Sequence, residues 1–248
     1  MSGRAPKGVV IGVGAAGGLG GALARKFAAE GRHVLVAGRT LEKVSRVAAR
    51  IEEDGGSATA VQTDATSAED VGVLFDLALR DDDLGAPADL VAFNVGNNMP
   101  RSRLEVTPEV FEKFWRTNCL AGFLVAREAA ARFAPLGRGT VIFTGATGSL
   151  RGAAGYAHFA SSKAGLRMIA QSMAREFGRK GIHVAHVIID GAIDGERLQT
   201  RFPEFLEMKG PGGALKIEAI AETYWHIHQQ HPSAWTHEVD LRPFKESF

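Results

Sequence analysis

Tyr156 and Lys163 stand seven residues apart in the stretch YAHFASSK. Seven residues are close to two helical turns, so Tyr156, Phe159 or Ala160, and Lys163 line one stripe, with the ammonium leaning back toward the phenol. A phenol can hydrogen-bond a developing oxyanion, and an ammonium can hold sugar hydroxyls, which together make acid–base chemistry around a bound ligand. Far upstream runs GVGAAGGLGG, where Gly12, Gly14 and Gly17 spell one glycine pattern and Gly14, Gly18 and Gly20 another. Either pattern sets bare peptide amides and a helix start against phosphate oxygens, because free N–H groups and the helix dipole favour negative charge there. The expected ligand of Gly14, Gly18, Leu19 and Gly20 is therefore a dinucleotide pyrophosphate. Arg39 follows Gly38 where a NAD-preferring protein would place an acid, and its guanidinium can grip a ribose 2′-phosphate through paired bonds. NADP is the expected cofactor, with NAD the alternative.

These residues need a scaffold, and the hydrophobic pattern supplies one. Short apolar runs at 8–13, 33–38, 57–64, 89–95, 140–145, 183–190 and 236–241 alternate with stretches of helical period at 19–30, 41–53, 68–80, 108–133, 157–179 and 217–230. Strands that are apolar throughout and alternate with helices mean a parallel sheet covered on both faces. The right-handed crossover rule then gives an α/β fold: a single doubly wound Rossmann-type domain over 1–248, about seven strands wide. Ligands in such sheets sit at the C-terminal strand edge, where the glycine run falls. The segment 196–216 follows the sixth strand with Leu198, Phe202, Phe205, Leu206 and Met208 on an apolar face and glycines at 210, 212 and 213, which suits a substrate lid.

Bulk properties remove whole classes of function. A net charge of +1 argues against a nucleic-acid or membrane partner, which needs a basic excess. One cysteine, Cys119, excludes an internal disulfide framework and suits a reducing compartment. The apolar run after Lys7 is too rich in glycine for a signal helix, so the expected location is the cytoplasm. In HIHQQH only His228 and His231 share a helix face, so no metal site is expected.

With these residues in view, the chain resembles the short-chain dehydrogenases/reductases along essentially its whole length. Gly14, Gly18 and Gly20 match that family's T-G-x-x-x-G-x-G, with Val13 in place of threonine. The resemblance implies that Asp64 contacts the adenine, that Asn94 and Gly96 in FNVG stand for the family's N-N-A-G, and that Asn118 holds a water in a proton relay. It implies further that Lys163 binds the nicotinamide ribose and that Ile193 offers backbone groups to the nicotinamide amide. The family also suggests a homodimer or homotetramer acting on a small molecule.

Two departures stand beside these matches. The family's tyrosine lies four residues before the lysine, where this chain has Phe159, and its serine position is Ala146. Neither side chain can donate a hydrogen bond. The spacing from Tyr156 to Lys163, with an apolar residue between, resembles the enoyl-thioester reductases of the same superfamily, which makes Tyr156 a candidate acid. Thr147, next to the vacant serine position, is a second candidate hydroxyl, with Thr144 and Ser149 nearby. His158 should point off the Lys163 stripe, as a partly exposed surface histidine. Two functions follow: an NAD(P)-dependent oxidoreductase reducing a polarised C=O or C=C of a largely apolar small molecule or thioester, or a catalytically degenerate dinucleotide-binding sensor or silent partner subunit.

Overall fold

The computed structural model describes residues 4–96 and 98–246. Seven strands form one sheet: β1 (Pro6–Ile11), β2 (His33–Gly38), β3 (Ser57–Gln62), β4 (Ala86–Phe93), β5 (Gly139–Thr144), β6 (Ile182–Ile189) and β9 (Glu238–Leu241). Their spatial order is β3-β2-β1-β4-β5-β6-β9, and every neighbouring pair is parallel. A two-residue pair, β7 (Ile193–Asp194) with β8 (Leu215–Lys216), stands apart from it.

Alternation along β1 shows how the layers arise. Val9 and Ile11 point to one face and Val10 to the other, each at most 1% exposed. The Val10 face packs against α1 (Leu19–Ala29), α2 (Leu41–Glu53) and α9 (Ile217–His228), through Leu23, Phe27, Val44, Ile51, Ile220 and Tyr224. The Val9 face packs against α3 (Ala68–Ala78), α5 (Ala121–Phe133) and α6 (Ala157–Phe177), through Leu74, Phe75, Val125, Phe133 and Leu166. Each fully buried side chain of this size contributes about 1.5–3 kcal/mol of hydrophobic stabilisation, so both layers are strongly fixed.

Local chemistry sets the boundaries. Ser67 caps α3, its Oγ accepting from Asp70 N–H at 3.2 Å, and Thr107 with Pro108 starts α4 (Pro108–Trp115). The first strand ends two residues before the pattern suggested, because Gly12 turns at φ 93° and a Cβ there would lie 2.6 Å from Val95 N. The continuous helix expected over 108–133 is also corrected: Arg116–Leu120 forms a π-helical turn between α4 and α5. The extra residue rotates the downstream apolar stripe by about 100°, but each flanking helix keeps its own period, and so the pattern read as one helix. Among the described residues no helix is long and apolar enough to cross a membrane.

Candidate functional site

The cleft opens where the chain leaves β1 and β4 for opposite faces. About 580 Å³ in volume, it is lined by Gly12 to Gly14, Gly38 to Thr40, Thr63 to Thr66, Val95 and Gly96, with Arg116 at its rim. Glycine is required here by contact. A Cβ on Gly38 would lie 2.3 Å from Val13 O, and one on Gly20 would lie 3.0 Å from Val13 Cα, whereas nothing lies within 4 Å of such an atom on Gly14. Gly14 thus faces open space with bare backbone, while Gly20 lets α1 press on the loop. Gly18 caps α1 in extended conformation, and Leu19 buries its side chain and offers only its backbone.

At the β3 end of the cleft, Asp64 Oδ1 accepts from Thr66 N–H at 2.9 Å and from Thr66 Oγ at 2.8 Å. Burial alone would raise the Asp64 pKa, but these two bonds and the nearby Arg39 and Arg116 outweigh it and hold the carboxyl below its usual range. Arg39 is exposed on the same wall, its own carbonyl held by Gln62 Nε2 at 3.1 Å. A solvent-facing guanidinium beside an ionised carboxylate suits a sugar phosphate and hydroxyls side by side.

Asn94 acts as a brace. Its Nδ2 donates to Gly12 O at 3.4 Å, while its Oδ1 accepts from Thr144 Oγ at 3.3 Å, and Thr144 Oγ also bonds the buried Tyr224 hydroxyl at 2.7 Å. This chain ties β1, β4, β5 and α9 together beneath the cleft. Tyr224 was missed in the sequence because nothing in a helix of ordinary apolar period marks which side chain reaches across the sheet.

Lys163 and Asn118 meet at the other end. A methyl carbon on Gly96 would lie 3.4 Å from Lys163 Nζ and 3.5 Å from Asn118 Oδ1, so the two side chains converge on one point beside the cleft. Lys163 Nζ donates to Thr144 O at 2.8 Å and to Val95 O at 3.4 Å. Burial lowers its pKa from 10.5 to about 8. Asn118 lies within the π-helical turn, fully buried, with Nδ2 donating to Phe114 O at 3.0 Å. The widened turn swings that residue inward, which is a recurrent use of such turns.

The start of α6 and the loop after β5 are arranged differently. Tyr156 caps α6 from outside the helix, half-buried, its ring edge-on to Phe159 with centroids 6.4 Å apart. Phe159 lies against Gly148, where a Cβ would be 3.0 Å from the ring. Thr147 Oγ donates to Asp190, whose carboxylate also lies 3.7 Å from Arg151 and 3.5 Å from Arg242. While that bond stands, Thr147 has no proton for a carbonyl. Ser149 Oγ accepts from Ala146 N–H at 3.1 Å. His158 corrects the expectation of a surface histidine: it is 1% exposed, bonded to Met99 O at 3.0 Å and edge-on to Phe114 at 4.3 Å. Its position on α6 faces α4, which the stripe argument did not include. Ile193 lies in β7, paired with Leu215.

Comparison with known proteins agrees with this architecture. The family model described as short chain dehydrogenase matches residues 8–204. A solved structure of a short-chain dehydrogenase from Rhodopseudomonas palustris is 40% identical, with a TM-score of 0.77, covering 96% of this chain and all of that one. The 3beta-hydroxysteroid dehydrogenase 1 of Eggerthella lenta is 33% identical over 189 residues, 75% of this chain and 70% of that protein. The uncharacterized oxidoreductase YuxG of Bacillus subtilis is 32% identical over 197 residues, 77% of this chain, which spans only 28% of YuxG's length. The chain belongs to the short-chain dehydrogenase/reductase family of oxidoreductases, which work with a nicotinamide dinucleotide. The glycine-lined cleft, with Asp64 at one end and Lys163 and Asn118 at the other, fits such a cofactor.

Proposed function

We propose that the chain binds NADP in preference to NAD and reduces a polarised C=O or C=C of a largely apolar small molecule or thioester. The observation that carries this reading is the convergence of Lys163 Nζ and Asn118 Oδ1 on Gly96, next to a glycine-lined cleft whose far wall holds Arg39. When bound, the dinucleotide supplies hydride. The protein's own residues do the rest: Gly14, Gly18, Leu19 and Gly20 offer backbone to the pyrophosphate, Arg39 meets the 2′-phosphate, and Asp64 takes the adenine end. Lys163 holds the nicotinamide ribose, and Asn94 and Gly96 shape the floor between. Tyr156 is the acid, stabilising the oxyanion that hydride transfer leaves. Exposed Phe202, Phe205 and Met208 on the lid, 53%, 39% and 79% accessible, provide an apolar cover for the substrate.

Fluorescence titration with NADPH and NADH tests the cofactor. Arg39→Ala should weaken NADPH by about 10- to 100-fold and leave NADH little changed, since charged hydrogen bonds contribute about 1.5–3 kcal/mol. No saturable binding of either dinucleotide to the wild type would end this reading. A panel of enoyl thioesters and ketones, run with wild type and Tyr156→Phe, then tests the acid; equal turnover dismisses Tyr156. Phe159 and Ala146 favour a second reading, a sensor or silent subunit, which saturable binding without turnover across the panel would select.

A further inference from the structure

Two successive residues after β7 reach the loop after β1 and the segment after β4. They begin α7 (Glu196–Arg201), which is followed by α8 (Pro203–Lys209). Glu196 engages Gly17 in both directions: its N–H donates to Gly17 O at 2.8 Å, and Gly17 N–H donates to its Oε2 at 2.9 Å. Arg197 Nη2 donates to Asn98 O at 3.0 Å, on the segment after β4. The backbones touch beneath these bonds, since a methyl carbon on Gly195 would lie 3.1 Å from Gly17 O and 3.7 Å from Gly18 Cα.

The amide of Gly17 lies one residue ahead of Gly18, the cap of α1, inside the glycine run proposed to meet the pyrophosphate, so an anion held there is next to the phosphate oxygens' place. Here a carboxylate of the chain itself takes that amide. One N–H cannot serve a carboxylate and a pyrophosphate together, and two anions a few ångströms apart repel. The bond is exposed, so the carboxylate can leave it for water without burying charge. The β7–β8 pair joins the two ends of the α7–α8 segment, and Gly210 and Gly212, at φ 63° and 75°, follow it, so the segment has a fixed base and a pliable return.

We propose that Glu196 is an internal anion gate: its carboxylate holds the Gly17 amide until a dinucleotide's pyrophosphate displaces it, and α7–α8 moves with it. The proposal rests on the dinucleotide-binding reading given above. It makes the chain's own carboxylate a competitor of the cofactor and couples cofactor entry to lid position.

NADPH titration of wild type and Glu196→Gln, both checked for folding by circular dichroism, tests it. Glu196→Gln should bind about tenfold tighter at low salt, and the gap should narrow as salt screens the charge. Glu196→Asp, which keeps the charge but withdraws it by one methylene, should fall between. Equal affinities, or weaker binding by Glu196→Gln, would overturn the gate and leave cofactor binding standing. Absence of saturable binding by both proteins would overturn the cofactor reading and the gate together.

Discussion

Replacing Lys163 by methionine should change how the fold's stability responds to alkali. Burial lowers the lysine's pKa from 10.5 to about 8. Between those values the unfolded chain keeps a proton that the folded chain has released, so wild-type stability rises with pH from about 8 to 10.5. The fall from 10.5 to about 8 corresponds to roughly 3 kcal/mol. In Lys163→Met the carbonyls of Thr144 and Val95 lose their donor, at about 1–3 kcal/mol each, but that penalty is nearly the same at every pH. The difference between the two proteins' pH profiles therefore isolates the ammonium, because all other titrating groups are common to both. Urea unfolding at about pH 7 and about pH 10.5 should show wild type gaining roughly 3 kcal/mol on the variant. Parallel profiles would refute the claim that the ammonium is buried at a penalty. At pH 7 the group is charged in about ten molecules for each neutral one, so NADPH affinity should fall above pH 8 in wild type only.

Gly12→Ala should destabilise the protein by about 3 kcal/mol or more, because it combines a left-handed residue with a collision against the β4 backbone. A Tm lowered by about 6–12 °C in calorimetry would agree, and an unchanged Tm would contradict the cleft geometry. Stability should also fall with acid through His186 and His228, each lowered by burial from 6.5 to about 4. Both are neutral when folded, so their contribution is whole above pH 6.5 and is lost as pH falls toward 4, by roughly 3 kcal/mol each. Denaturant midpoints between pH 7 and 4.5 measure this, and His228→Gln should flatten the slope; an equal slope in the variant would refute the assignment.

Much of this fold was legible because its signals are local. The second strand and the helix at 41–53 match the sequence reading residue for residue, since Gly31, Gly38 and the cap position Thr40 punctuate them. The cleft's glycines and Asp64 fall at strand ends, where the parallel-sheet rule directs attention. What the sequence hid is long-range or backbone-borne. Glu196 meets Gly17 across 179 residues, and no local pattern marks either as the other's partner. Asp190 likewise receives the Thr147 hydroxyl, 43 residues away, and lies between Arg151 and Arg242, contacts that no local pattern marks.

These hidden contacts separate the site into halves that bear on function differently. Around the loop after β5 the departures fit together: Phe159 rests on Gly148 and the Thr147 hydroxyl is turned to Asp190, while Ser149 Oγ accepts from Ala146 N–H, so the Thr147 proton is held within the protein. On the cofactor side an ammonium is kept inside the protein at a penalty near 3 kcal/mol, which an apolar side chain would remove. A fold is marginally stable by only about 5–15 kcal/mol, so a penalty of that size has consequence. It is recovered if Lys163 meets sugar hydroxyls in the bound state, since ligand binding stabilises the folded form by mass action. The proposed ribose contact should therefore show as a larger stabilisation by the dinucleotide in wild type than in Lys163→Met. Tyr156 at the mouth of α6 is the group on which the choice between enzyme and sensor turns.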